Sequence, residues 1–456
     1  MNDFISSTKH ILLYHLFWLI WGIMAIGSVF VAPFSKPLYQ NWNITEWLIN
    51  YSNGFVRRGL FGAGIDWMQR WNIAPLSLIF GIAITSYVIT TFLWIASVRI
   101  NQSKLSQNEL ILLLFNPCLI LFFLMDGSPL RKDVFPILFS MISLWMIRSI
   151  NHHKNRLSLK IFLFSLWEAV SGVILALSHE GIALFLWLPT HWLLYTTILS
   201  NISFDKLGNI AKDKLIQYVI RVLVFLPTLI ACVAAIKCSG GSGTALAICK
   251  NWESLIAVNC AINYADTAAI SALSWNISQA WSMSGFTLID NGAVLLWFIP
   301  FLFWTGIHLR IANKLSMSPN LSIKVAAWIG MTALPLYLIG WDWGRWFTVQ
   351  SMLGLSIILI LANSPWIEDL EHHLDLWFSN SLLLKKPLRA SQNLARFLVV
   401  RSGNYFKFST KTLIFSSVIG LPHCCATSLA ILAKGMMGGS IFAVSRLFTL
   451  YFHHWG

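Results

Sequence analysis

Uncharged apolar runs of about 20 residues recur from one end of this 456-residue chain to the other, and that is the length a helix needs to cross the hydrocarbon core of a bilayer. In hydrocarbon every backbone N–H and C=O must find its partner within the chain, which leaves α-helices and closed barrels. The runs are continuous rather than alternating, so they predict helices. Composition agrees: 57% of residues are hydrophobic, 11% are charged, and mean hydropathy is +0.67. Too few polar groups remain to coat a soluble globule of this size. The expectation is an all-α, polytopic integral membrane protein.

The runs centre on residues 11–33, 76–98, 109–125, 133–150, 161–178, 181–200, 217–237, 291–312, 323–341, 346–363 and 412–433, with a further one at 437–452, giving 11–12 transmembrane helices. Many of the 23 tryptophans fall at run ends, the headgroup level that amphipathic rings prefer. Alternating the segments from a cytosolic N-terminus puts most lysines and arginines inside, including Lys206, Lys212, Lys214, Lys385, Lys386 and Arg389. The positive-inside bias therefore predicts that orientation. The first run reads as a retained anchor, since no small-residue cleavage site follows it.

Three regions result. Residues 1–363 make a transmembrane bundle with outer loops 34–75 and 238–290; 364–411 lie as amphipathic helices on the cytosolic face; 412–456 close the chain with one or two further spans. The net charge of +14 is scattered between the runs, without the basic domain or motif of a nucleic-acid binder. Cys118, Cys232, Cys424 and Cys425 lie in apolar runs, whereas Cys238, Cys249 and Cys260 fall outside, where an oxidising compartment would pair two of them. No nucleotide-binding, zinc-protease or haem motif is present in its required context, so no cofactor is expected.

Polar residues near a bilayer are expensive and mark function. Four clusters stand out: NGFVRRGLFG (53–62), MDGSPLRKD (125–133), LSHEG (177–181) and GWDWGRW (340–346). In the expected topology all four face outward. Arg57 and Arg58 suit phosphate oxygens, with flanking glycines that let backbone approach a ligand; lipid headgroups are the other natural contact. Arg131 and Lys132 repeat the theme, although Asp126 and Asp133 beside them equally suit local ion pairs. His179 and Glu180 are candidate bases, or a link between two helices. Asp342 and Arg345 are three apart and would pair on one helix face, between tryptophans that suit sugar rings or a headgroup belt. Glu168 lies within a run and requires a partner that the sequence does not name. Asp126, Glu180 and Asp342 have the donor chemistry for a divalent cation, but no cation-binding loop accompanies them, and no metal is assigned.

Arginines, a base and aromatic surfaces suit glycan transfer from a polyprenyl diphosphate, whose leaving group needs cationic stabilisation. With FVRRG, RKD, HEG and DWGRW, the many spans and the long outer loop, the chain resembles bacterial surface-polysaccharide membrane proteins. These are the O-antigen and capsule polymerases and the multi-span lipid-linked glycosyltransferases. The resemblance implies a polyprenyl-linked oligosaccharide substrate, the bacterial inner membrane, surrounding lipids and polysaccharide assembly proteins as partners, and no soluble cofactor. Two features bear on the choice within that group. Loop 238–290 has no arginine, unlike many polymerases. Glu46 or Asp66 stands where monophosphate-dependent transferases carry an acidic residue. A flippase or transporter and a non-catalytic scaffold are the other two classes. The first would line a central cavity with polar groups on both faces, and the second would use the clusters only as ion pairs.

Overall fold

The computed structural model describes residues 2–31, 37–116, 119–121, 124, 130–152, 157–200, 210–275, 278, 306–315, 317–339, 343–362 and 364–380. The expected spans at 412–433 and 437–452, most of 291–312, and the basic stretch after residue 380 lie outside these residues. Every regular element described is helical.

The longer helices are α1 (Asn2–Ile26), α2 (Leu60–Gln69), α3 (Pro75–Arg99), α4 (Gln107–Phe115), α5 (Val134–His152), α6 (Leu157–Ser178), α7 (Leu188–Ser200), α8 (Ile210–Lys237), α9 (Ser242–Asn251), α10 (Pro319–Ile339), α11 (Trp343–Leu361) and α12 (Trp366–Asn380). Five stretches are long and apolar enough to cross a membrane: Ile11–Val29, Pro75–Arg99, Leu159–Ser178, Glu180–Ser200 and Lys214–Lys237; Val134–Ile150 and Arg345–Leu361 are shorter apolar helices. Polar residues inside these helices satisfy themselves locally. Thr90, Thr91, Ser97, Ser171, Thr190 and Thr197 each donate a hydroxyl to the carbonyl four residues back, which lets hydroxyls sit in apolar surroundings.

The run at 109–125 is not one continuous helix. Ser106 and Glu109 form a reciprocal capping box that starts α4. Asn116 then turns extended (φ −72°, ψ 125°), the conformation that the ring of a following proline, here Pro117, imposes. At 9 residues, α4 is roughly 14 Å long, under half the hydrocarbon thickness.

Packing follows the apolar faces. Helix α5 lies centrally, against α3, α6 and α11; α8 runs along α6, α10 along α11, and α12 covers part of α7. Buried Phe17, Tyr87, Trp94, Phe164, Trp187 and Tyr195 fill the spaces between them. Large apolar side chains also point outward along α1 (Leu12, Leu16, Leu19, Ile23), α6 (Phe162, Leu166) and α8 (Leu223, Leu226, Ile230). These outward apolar faces lie on three of the stretches long and apolar enough to cross a membrane.

At one end of the bundle two loops meet. The segment 238–275 carries α9 and several single turns, tied by the disulfide Cys249–Cys260; Cys238 is free and exposed. It packs onto residues 42–57 of the first loop. Trp252 Nε1 donates to Leu48 O at 2.7 Å, Arg57 N to Cys238 O at 2.9 Å, and Ala269 N to Thr45 Oγ1 at 3.1 Å. The two loops thus form one cap. Beneath it the four polar clusters converge.

Candidate functional site

The RRGLFG segment is shaped by close backbone contact. A Cβ on Gly62 would lie 2.0 Å from Ile49 O, and one on Gly59 would lie 2.3 Å from the Tyr51 ring. These glycines therefore let residues 59–62 press onto 47–51, rather than onto a ligand as the sequence suggested. Arg58 adopts φ 63°, a left-handed conformation costing on the order of 1 kcal/mol for a non-glycine residue. In extended chain adjacent side chains point to opposite faces; this kink lets Arg57 and Arg58 reach the same carboxylate. Arg58 grips Glu180 with Nε to Oε2 at 3.2 Å and Nη2 to Oε1 at 3.4 Å, and Arg57 Nη1 lies 3.9 Å from Oε1. Both arginines retain about a quarter of their side-chain exposure, 24%, against 10% for Glu180. Burial first, and then the neighbouring Arg58, press the Arg57 guanidinium below its ordinary value, with Glu180 opposing.

Glu180 is placed by a break. Helix α6 ends at Ser178, His179 leaves helical geometry (φ −159°, ψ 80°), and a short turn Glu180–Ile182 and a π-helical segment Ala183–Trp187 lead into α7. The extended residue sends the adjacent side chains to different partners. Glu180 meets the arginines; His179 Nε2 lies 3.9 Å from Asp133 Oδ1. His179 Nδ1 is buried with no hydrogen-bond partner among the described residues.

The RKD turn is not the self-contained charge cluster its sequence allows. Asp133 pairs with Arg345, whose Nη2 donates to Oδ1 at 3.3 Å and whose Nε lies 3.1 Å from Oδ2. Lys132 is almost wholly buried and donates to the Glu46 carbonyl at 2.9 Å and the Arg58 carbonyl at 3.2 Å. Its ammonium also lies over the Trp47 and Phe61 rings, 5.7 and 5.5 Å from their centres. Trp47 Nε1 donates to the Leu130 carbonyl, closing the joint between turn and cap. Burial pushes the Lys132 amine down to about 8, against the pull of Glu46. Arg131 is half-buried beside this joint.

Of the eight site residues expected from sequence, the structure brings Arg57, Arg58, Lys132, His179, Glu180 and Arg345 into one cluster and sets Arg131 next to it. Asp342, like Asp126, lies outside the described residues. The Arg345–Asp133 pairing, which joins the start of α11 to the start of α5, had no local signal; proximity in sequence favoured Asp342. Glu46 enters through its main chain and its charge.

Glu168 also finds its partner. Its Oε2 meets His191 Nδ1 at 2.7 Å, and His191 Nε2 meets Ser140 Oγ at 2.8 Å, all three buried among α5, α6 and α7. The Trp187 ring stacks on the imidazole at 4.1 Å. Among the described residues no group of three or more His, Cys, Asp or Glu could hold a metal ion.

The cluster under the cap thus offers two part-exposed guanidiniums on an internal counter-ion, fixed from behind by Lys132 and Asp133–Arg345. Such an arrangement can exchange its carboxylate for an external anion, because phosphate presents the same fork geometry to arginine. No protein-family model matches the chain, nor does any curated protein or solved structure.

Proposed function

We propose that this chain is an integral membrane glycosyltransferase of the polysaccharide-polymerase type, acting on polyprenyl-phosphate-linked sugars at the outer face of the bacterial inner membrane. The observation that carries the reading is the meeting of Arg57, Arg58 and Glu180 beneath the cap, from segments far apart in sequence. The lipid-like outer surface of α1, α6 and α8 supports insertion, and the charge bias supports a cytosolic N-terminus. The disulfide between Cys249 and Cys260 favours an oxidising compartment for the cap.

In this reading the donor diphosphate takes the arginine forks from Glu180. The acceptor hydroxyl oxygen attacks the anomeric carbon, the bond from that carbon to the phosphate oxygen breaks, and the diphosphate leaves with the bonding electron pair on its oxygen, the new charge being balanced by the guanidiniums. Glu180, freed from Arg58, takes the proton of the acceptor hydroxyl. His179, whose Nδ1 is buried without a hydrogen-bond partner among the described residues, is the second candidate proton acceptor. No cofactor enters the scheme.

The test is the length of surface polysaccharide on a gel, in a deletion strain complemented with wild type, Arg58→Ala or Glu180→Ala at matched membrane levels. Collapse to single repeat units is expected for both variants. A truncated repeat unit would move the assignment to a single-sugar transferase, and unchanged polymer would overturn transfer at this site.

A further inference from the structure

A second feature lies toward the other end of the bundle, well away from the cap. A cavity of about 530 Å³ opens between α7, α8, α10 and α12, and Trp192, Trp328, Trp377 and Leu376 form much of its wall. Trp328 and Trp377 meet edge to face at 4.6 Å, and Trp377 and Leu376 are exposed at its mouth. The cavity is in the size range of small-molecule sites. Its position is set by helix rise: Thr196 follows Glu180 by 16 positions, roughly 24 Å along a helix.

Among the described residues, Arg221 brings a cation to this apolar space. Arg221 Nε donates to the Gln217 carbonyl at 3.1 Å and Nη1 to Thr196 Oγ1 at 3.2 Å, and the guanidinium lies 6.0 Å from the Tyr218 ring centre. No carboxylate among the described residues comes within 4.0 Å of it; on α12, Glu371 and Asp375 clamp Lys324 at 2.9 and 2.7 Å, and Asp369 acts on His373 through its charge. His373 bonds Ser200 Oγ at 2.9 Å. Burial first, and then the neighbouring His372, hold its imidazole below the ordinary range, with Asp369 opposing. A guanidinium whose hydrogen-bond acceptors among the described residues are neutral, at the edge of an indole-lined cavity, has charge and shape for an anionic amphiphile.

We infer that this cavity is a binding site for an anionic glycerophospholipid, with the headgroup phosphate on Arg221 and the acyl chains against Trp192, Trp328 and Trp377. The inference rests on the chain being a membrane protein and is independent of glycan transfer. Phosphate also occurs free and on polyprenyl carriers. A phospholipid is favoured because the cavity opens beside exposed Leu376 and Trp377 on amphipathic α12, where a bilayer component has direct entry. It also lies at the end that the charge bias assigns to the cytosolic leaflet, whose anionic lipids attract basic side chains.

The experiment uses the purified full-length chain in neutral detergent, with retained lipid read by native mass spectrometry during titration with dioleoyl phosphatidylglycerol or dioleoyl phosphatidylcholine. Wild type is expected to bind phosphatidylglycerol at least tenfold more tightly. Arg221→Ala removes that preference while leaving phosphatidylcholine binding unchanged, and Trp328→Ala weakens both. If Arg221→Ala does not fold, Arg221→Gln, which removes the charge but keeps a polar amide, gives the same readout. A wild type without preference, or an Arg221 variant that keeps it, overturns the site. Displacement by inorganic phosphate at equal concentration, or stronger binding of a polyprenyl monophosphate, overturns the phospholipid assignment. None of these readings requires glycan-transfer activity, so this proposal and the transferase reading fail separately.

Discussion

Glu168 sits fully buried within α6, and its charge is tolerable because His191 and, beyond it, Ser140 complete a line of short hydrogen bonds. Removing one partner leaves the other stranded in apolar packing, so His191→Ala is expected to destabilise the protein by about 3–5 kcal/mol in denaturant titrations in micelles. Replacing both together, Glu168→Leu with His191→Leu, should recover most of that loss; a double variant as unstable as the single one would show that the pair does more than satisfy itself. Sequence flagged Glu168 as needing a partner but gave no route to His191, because the match is made across a helix pair and not along one. Lys132 carries the opposite lesson. The RKD turn suits either a phosphate or local ion pairs by sequence, and the Lys132 ammonium instead holds two main-chain carbonyls in place. Since its folded-state value is down at about 8 against an ordinary 10.5, the unfolded chain binds the extra proton between those values. Stability contributed by this group therefore rises with pH from 8 toward 10.5 and is absent below 8. Melting of the purified protein between pH 7.5 and 9.5 should show a rise, on the order of 1–3 kcal/mol at most, that Lys132→Met abolishes.

Among the elements, α2 and the segment before it show how a motif's glycines can mislead. GLFGAG looks like one permissive stretch, but its three positions differ. Gly62 faces a backbone carbonyl that has nowhere to go, Gly59 faces a ring that can turn, and Gly64 faces open space. Substitution by Ala is accordingly expected to cost more than about 3 kcal/mol at Gly62, roughly 1–3 at Gly59, and to be neutral or stabilising by up to about 1 kcal/mol at Gly64. Thermal unfolding of the three variants checks the order, and equal effects would contradict the packing account. The same scale shows where apolar periodicity sufficed and where it did not. The five long runs kept their places because length and hydropathy alone determine them. Residues 109–125 had both, yet Pro117 ends α4 at Asn116; a local backbone restriction outranks hydropathy.

Across the whole molecule, the convergence of clusters was legible only as a shared side. Alternating the spans from a cytosolic N-terminus put FVRRG, RKD, HEG and DWGRW on one side, but which carboxylate meets which arginine depends on the cap that loops 34–75 and 238–275 build together, through Trp252–Leu48 and Arg57–Cys238. No periodicity encodes that docking, and it decides what Glu180 and Arg58 do. If their pairing served only to hold the cap on the bundle, either order of charges would serve. If Arg57 and Arg58 exist to receive an anionic donor, the order matters. The most direct measurement is therefore polysaccharide chain length in cells carrying Arg58→Ala, Glu180→Ala, or the exchange Arg58→Glu with Glu180→Arg, each at wild-type membrane level. The account predicts single repeat units in all three, because the exchanged pair restores the ion pair but neither the paired arginine forks nor the base. Full-length polymer from the exchanged variant would contradict it and leave the cluster a structural clasp.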